Sequence, residues 1–339
     1  MYDPTGWQYR PGGYPPYYAA ASERRRQIRR SSNRVCWTAL AGILLMYLFM
    51  QAGVLYLRLT GVAYNYSYSQ FSGFQPVQYY LLEAVGYALG LSVPAFLYFS
   101  AEHIPLDAAL PFSRAPAWEV TAYVLFGSMV CSLANYPADA VAQIQKSFGY
   151  SGTTPQSPLN DDPLVLILYG ITVCVLPPFV EEIMFRGVIL QSLRRYGDGF
   201  AVVVSALLFG LYHGNFIQLV FAFLCGLVMG LTVVRTNSLL PSMLIHFINN
   251  AVSFTLQMIT RYQGAEAASQ FYTVTAFAIV GLGIAALILL AVKRKPSQRG
   301  GTGDILPFSS RFGAMFSSPG AIVFVLVMLT QSVYTMVHL

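Results

Sequence analysis

Residues 163–190 read PLVLILYGITVCVLPPFVEEIMFRGVIL. The first 18 of them, Pro163–Val180, carry no charge, enough for a helix that crosses the hydrocarbon core of a bilayer. Two glutamates and an arginine follow at once. Composition extends this reading to the whole chain. Charged residues make up 10% of the 339 and hydrophobic residues 55%. A soluble domain carries about 25% charged residues, so a soluble globule of this size could not cover its surface. A cytosolic enzyme, a disordered protein and a secreted disulfide scaffold are excluded. The fold class that remains is an all-α polytopic membrane protein.

Further apolar runs flank this one: Val35–Leu57, Tyr79–Phe99, Ala117–Tyr136, Phe200–Tyr212, Phe216–Val234, Leu239–Ile259, Phe271–Val292 and Gly320–Val337. With Pro163–Val180 they predict about nine transmembrane helices. Phe200–Tyr212 is short for a span unless His213 and Asn215 continue it inside a bundle. Residues 1–34, rich in Pro, Gly and Tyr at their start, read as a disordered cytoplasmic tail. Residues 35–162 hold three N-terminal spans and their loops. Residues 163–260 hold the bundle that would carry the active site. Residues 261–339 hold two C-terminal spans joined by a basic linker, 293–319. Val35–Leu57 is longer than a signal-peptide core and lacks a small-residue cleavage site after it, so it reads as a retained anchor.

The placement of Lys and Arg orients the chain. With the N-terminus inside and one crossing per run, 17 of the 20 basic residues fall on the inner side; Arg58, Lys146 and Arg261 fall outside. Basic residues favour the cytoplasmic side, so a multi-pass protein with its N-terminus in the cytoplasm is expected. The same placement, between apolar runs, gives no basis for a nucleic-acid partner. The lipid bilayer is the partner implied. Cys36, Cys131, Cys174 and Cys225 all lie in or beside apolar runs, form no CxxC pair, and read as small packed hydrophobes.

Polar groups that do not belong in lipid cluster in one region: Glu181, Glu182 and Arg186; then His213; then His246, Asn249 and Asn250. A charge at bilayer depth costs at least about 2.5–3.5 kcal/mol, so such groups persist when paired or when they line a working cavity. Glu182 and Arg186 are four residues apart and share a helix face, which predicts an ion pair. Glu181 points about 100° away and stays free for another partner. His246 and Asn250 are also four apart and stack on one face. Counting about 1.5 Å per residue from the basic ends of the three segments puts Glu181, His213 and His246 at similar depth.

One carboxylate, two imidazoles and an amide at matched depth form a hydrolytic inventory. Glu181 can take a proton from water. His213 can orient that water, and His246 and Asn250 can donate hydrogen bonds to a developing oxyanion. Alternatively, Glu181, His213 and His246 are N/O donors suited to zinc with one open position. The Glu182–Arg186 pair would be structural.

The residues Glu181, Glu182 and Arg186, then Phe209 and His213, then His246 and Asn250, spell EExxxR, FxxxH and HxxxN on successive spans. This pattern resembles the CPBP family, the CAAX-protease and bacteriocin-processing membrane proteases also called Abi. The resemblance covers roughly residues 163–260. It implies an intramembrane endopeptidase, resembling CAAX prenyl endopeptidases, that hydrolyses a peptide bond near the cytoplasmic membrane face. Water would be activated by Glu181 and His213, and the oxyanion held by His246 and Asn250. It also implies a membrane protein or lipidated peptide as substrate. The family is usually named as metalloproteases, with zinc as the possible cofactor, although a metal-free glutamate mechanism is the alternative for the prenyl-protein branch.

Other intramembrane protease motifs fare worse. HExxH does not occur. Gly149–Gly152 spells GxSG, but a run of Thr, Pro and Asp follows Ser151 where a helix should start. Gly301–Asp304 spells GxGD in the basic linker, with no intramembrane Asp to pair with it. The competing function is a non-catalytic membrane immunity, scaffold or regulatory protein. A transporter would show repeated halves with matching broken helices, and Pro177-Pro178 has no counterpart.

Overall fold

The computed structural model describes residues 16–60, 65–151, 158–293 and 304–338, which are almost wholly helical. The architecture is set by α1 (Pro16–Leu59), α2 (Pro76–Ala101), α3 (Ala117–Ser147), α4 (Pro163–Arg194), α5 (Asp198–Tyr212), α6 (Phe216–Thr236), α7 (Leu240–Gln263), α8 (Ala265–Val292), α9 (Phe308–Phe316) and α10 (Pro319–Tyr334). Tyr150–Ser151 and Val337–His338 pair as a two-residue antiparallel ribbon. Ser151 of the GxSG motif therefore sits in that ribbon, not at the start of a helix.

Two expectations change. The first is the tail. Helix α1 begins at Pro16, so residues 16–34 are helical and not disordered; residues 1–15 lie outside the described residues. Pro16 suits the first turn of a helix, and the Ala, Glu, Arg and Gln that follow are helix formers. With 44 residues, α1 is about 66 Å long, roughly twice the hydrocarbon thickness. Its arginine-bearing end projects beyond the core, yet Ile28 is fully buried there. Ser32 Oγ holds that end by donating to Met315 O at 2.6 Å and contacting Ser318 Oγ at 2.7 Å.

The second is the count of spans. Six helices, α1, α2, α3, α4, α6 and α8, are long and apolar enough to cross a membrane. The pair α9–α10, bent by 76°, makes a seventh if it is one span. Nine is not reached among the described residues, because α5 has 15 residues and α7, though 24 residues long, is too polar. Within its apolar run α7 carries Ser242, His246, Asn249, Asn250 and Ser253.

The core is densest where α4, α5 and α6 meet. Phe185, Val188, Ile189, Leu190, Val204 and Phe209 are 0–2% exposed. A Cβ on Gly210 would lie 2.6 Å from Leu219 O, and one on Gly226 3.0 Å from Ala206 Cα. These two glycines let α5 and α6 approach backbone to backbone, as small residues do between membrane helices.

Candidate active site

The site grows from a break in α4. Asp162 caps this helix by accepting from Leu164 N at 2.8 Å, with Pro163 in the first turn. Two stretches then widen to π-helix, Ile171–Val175 and Ile183–Leu190. Such widening is rare and concentrates at functional sites. Between the stretches lie Pro177 and Pro178, which have no N–H to give. The carbonyl of Val173 faces Pro177 at the α spacing and Pro178 at the π spacing, so the helix offers it no donor in either register. Asn250 on α7 supplies one, donating from Nδ2 at 2.9 Å.

The two glutamates immediately after this break have different surroundings. Glu182 is 0% exposed and its Oε1 is 3.0 Å from Arg186 Nη1, as the four-residue spacing predicts. Its Oε2 accepts from the hydroxyl of Ser242, and His246 Nδ1 lies 3.2 Å from Oε1. Arg186 is fully buried, its guanidinium carbon 4.4 Å from the centre of the Phe209 ring. None of its N–H groups is aligned for a hydrogen bond among the described residues, so the contact is ion pair and cation–π in character. Glu181 is 5% exposed. Its Oε1 accepts from Tyr87 of α2. Its Oε2 is buried without a hydrogen-bond partner and lies 3.7 Å from His246 Nε2.

Phe209 organises the histidines. Its carbonyl is 2.8 Å from His213 Nδ1, and its ring packs edge-on against His213 at 4.9 Å and His246 at 5.9 Å. A carbonyl only accepts, so this contact assigns the proton of His213 to Nδ1 and leaves the Nε2 lone pair available. The turn after His213 is fixed by Gly214 at φ +57° and by Asn215, whose side chain caps α6 by accepting from Ile217 N at 2.9 Å. In His246, Nδ1–H points at the Glu182 carboxylate and Nε2 at Glu181. Residues His213, His246, Asn249 and Asn250 line one cavity of about 40 Å³, enough for about one water molecule.

The structure thus brings Glu181 against His246, and His246 and Asn250 onto the wall that His213 shares. It does not assemble the zinc set: among the described residues no three His, Cys, Asp or Glu side chains converge to hold a metal ion. Two partners escaped sequence reasoning. Ser242 lies four residues before His246, on the face already marked by His246 and Asn250, and could have been found by that spacing. Tyr87 gave only a weak signal, a polar residue one helical turn after the intramembrane Glu83.

Asn250 has a structural duty as well as a place on the cavity wall. Replacing it with alanine should leave the Val173 carbonyl buried without a donor and lower stability by about 1–3 kcal/mol. Thermal unfolding of the purified variant measures this; an unchanged midpoint would mean that the carbonyl needs no partner.

Residues 163–252 match the family model described as Rce1-like, type II CAAX prenyl endopeptidase. The matched segment runs from the start of α4 into the middle of α7 and contains Glu181, Glu182, Arg186, Phe209, His213, His246 and Asn250. The match is consistent with the CPBP family and supports an intramembrane CAAX-type protease in general. No curated protein and no solved structure matches the chain.

Proposed function

We propose that the protein is an intramembrane endopeptidase that hydrolyses a peptide bond in a membrane protein or lipidated peptide, with Glu181 as general base and without a metal ion. One observation carries this reading: a buried carboxylate oxygen without a partner, Glu181 Oε2, faces an imidazole nitrogen at 3.7 Å beside a cavity of water size. A water held between Oε2 and His246 Nε2 gives up a proton to Glu181 and attacks the carbonyl carbon of the scissile bond. The Nε2 lone pair of His213 orients a second hydrogen of the attacking water. The carbonyl oxygen becomes an oxyanion. It is met by His246 Nε2–H when the ring carries its second proton. The remaining N–H of Asn250 faces the same cavity. Glu181 then returns its proton to the leaving nitrogen as the C–N bond breaks, so acid and base are one residue used twice.

The experiment is direct. Purified full-length protein is incubated with prenylated and unprenylated peptides, and products are read by mass spectrometry before and after chelation, with metal content measured on the same sample. Cleavage that survives chelation in metal-free protein is expected. Cleavage lost on chelation and restored by zinc would overturn the metal-free mechanism. No cleavage of any peptide would favour the regulatory or scaffold reading.

The cytoplasmic placement of the basic loops is read from the charge bias and is supported by contacts that gather those loops at one end. Arg24 pairs with Asp304 at 2.7 Å and donates to Arg195 O at 2.6 Å, and Arg194 reaches Asn237 Oδ1 at 3.4 Å. At the opposite end Arg261 pairs with Asp161 at 2.8 Å, and Thr335 donates to Gly214 O at 3.2 Å. A reporter inserted near residue 297 should read as cytoplasmic, and one after Leu339 as external. The reverse pair of signals would invert the orientation.

A further inference from the structure

A larger cavity, about 80 Å³, lies beside the catalytic one, between α3, α7 and α8. Two helices turn a polar stripe into it, Ser128, Ser132 and Asn135 from α3 and Asn249 and Ser253 from α7, and α8 adds Thr275, all set among apolar side chains such as Val252 and Ile279. The spacings of three and four residues put each stripe on one helix face. Other buried hydroxyls of the bundle find an acceptor, several on their own helix: Thr232 on Val228 O at 2.8 Å, Thr236 on Thr232 O at 2.8 Å and Ser332 on Met328 O at 2.8 Å. Ser128 does not. It is 7% exposed and its Oγ has no hydrogen-bond partner among the described residues. A buried hydroxyl left unpaired costs about 1–3 kcal/mol. A cavity of this volume has room for about two or three water molecules, each of which would satisfy several of the polar groups in its lining.

Asn249 joins this cavity to the chemistry. It lines both cavities, and its Nδ2 donates to Asn250 Oδ1 at 3.3 Å. Hydrolysis consumes one water for every bond cut, and the catalytic cavity holds about one. We infer that the cavity between α3, α7 and α8 is a binding site for water, the co-substrate, which it stores within the membrane and passes to the catalytic cavity alongside Asn249. The inference rests on the hydrolytic reading of Glu181 and His246. The lining is uncharged and rich in hydroxyl and amide groups, which bind water on either its donor or its acceptor side without trapping an ion.

Two measurements test it. The first does not depend on activity. In protein reconstituted into vesicles, Thr275→Cys is exposed to a small charged thiosulfonate, with Ile288→Cys, on the 59% exposed lipid-facing position of the same helix, as control. The thiolate that reacts forms readily only in water, so Thr275→Cys should be modified at least about tenfold faster than the control. Equal rates would mean a dry cavity and overturn the proposal. The second compares Asn249→Leu and Ser128→Val with wild type on several peptides. Each should lower kcat by about tenfold, the scale of one lost hydrogen bond, with KM and the order of preference among peptides unchanged. A changed KM or changed preference would make the cavity a subsite for the substrate chain and overturn its role as a water store. If the wild type cuts no peptide, the hydrolytic reading fails, and with it the supply role; the labelling still decides whether the cavity is wet.

Discussion

Glu181→Gln should reduce peptide hydrolysis by between about 100- and 10,000-fold while leaving the protein folded. The substitution keeps the shape of the side chain, and its Oε1 can still accept from the Tyr87 hydroxyl as it does now. What is lost is the oxygen that would take the proton from water, the partnerless Oε2 beside His246 Nε2. The amide N–H₂ that replaces it is a donor, and water cannot be deprotonated by a donor. The thermal midpoint should therefore stay within a few degrees of wild type, and substrate should still bind. Tyr87→Phe is the companion variant. It frees Glu181 Oε1 and should slow turnover less than Glu181→Gln does, because the base remains and only its orientation loosens. A Glu181→Gln protein that cleaves at the wild-type rate would remove general-base catalysis from this position.

How far the sequence carried depends on whether the deciding contact is local. The ion pair of Glu182 and Arg186 is written in a spacing of four residues, and the structure sets it at 3.0 Å. The stacking of His246 over Asn250 is equally local. Other features are set by partners far along the chain. Tyr87 meets Glu181 across 94 residues, and no pattern in a single sequence joins them. Asn250 is readable as a polar group in a span, but its carbonyl partner, Val173 O, lies 77 residues earlier and is chosen by the proline break. Helix α1 was misjudged at its start because Pro, Gly and Tyr dominate residues 1–18, while the helix formers that begin at Ala19 were read as more of the same tail. The span count depends on a related distinction: an apolar run marks a helix, but its length and its balance of polar and apolar groups decide whether it faces lipid or neighbours.

Glu182→Ala should be the most destabilising substitution in the site, costing about 3–5 kcal/mol, because it leaves a buried charge without its partner. Arg186 is 0% exposed, and Phe209, packed against it, offers only a π face 4.4 Å away. The Ser242 hydroxyl and His246 Nδ1, which both point at Glu182, would lose their acceptor as well. The fault lies in the unpaired cation, so removing the cation too should recover part of the loss. The double variant Glu182→Gln with Arg186→Met keeps volume, restores an acceptor for Ser242 and His246, and puts a thioether against the Phe209 ring, a favourable contact. It should be more stable than Glu182→Ala, and the coupling in a cycle with the two single variants should fall in the range of about 0.5–3 kcal/mol expected for contacting residues. Unfolding midpoints of these variants and the wild type, five proteins in one detergent, measure this. If Glu182→Ala unfolds within about 1 kcal/mol of wild type, the pair is not what holds α4 against α5 and α7. Activity separates the roles further: the double variant should fold and yet turn over slowly. His246 would then lose the carboxylate that holds its Nδ1 proton and aims Nε2 at Glu181, while Glu181 itself is untouched.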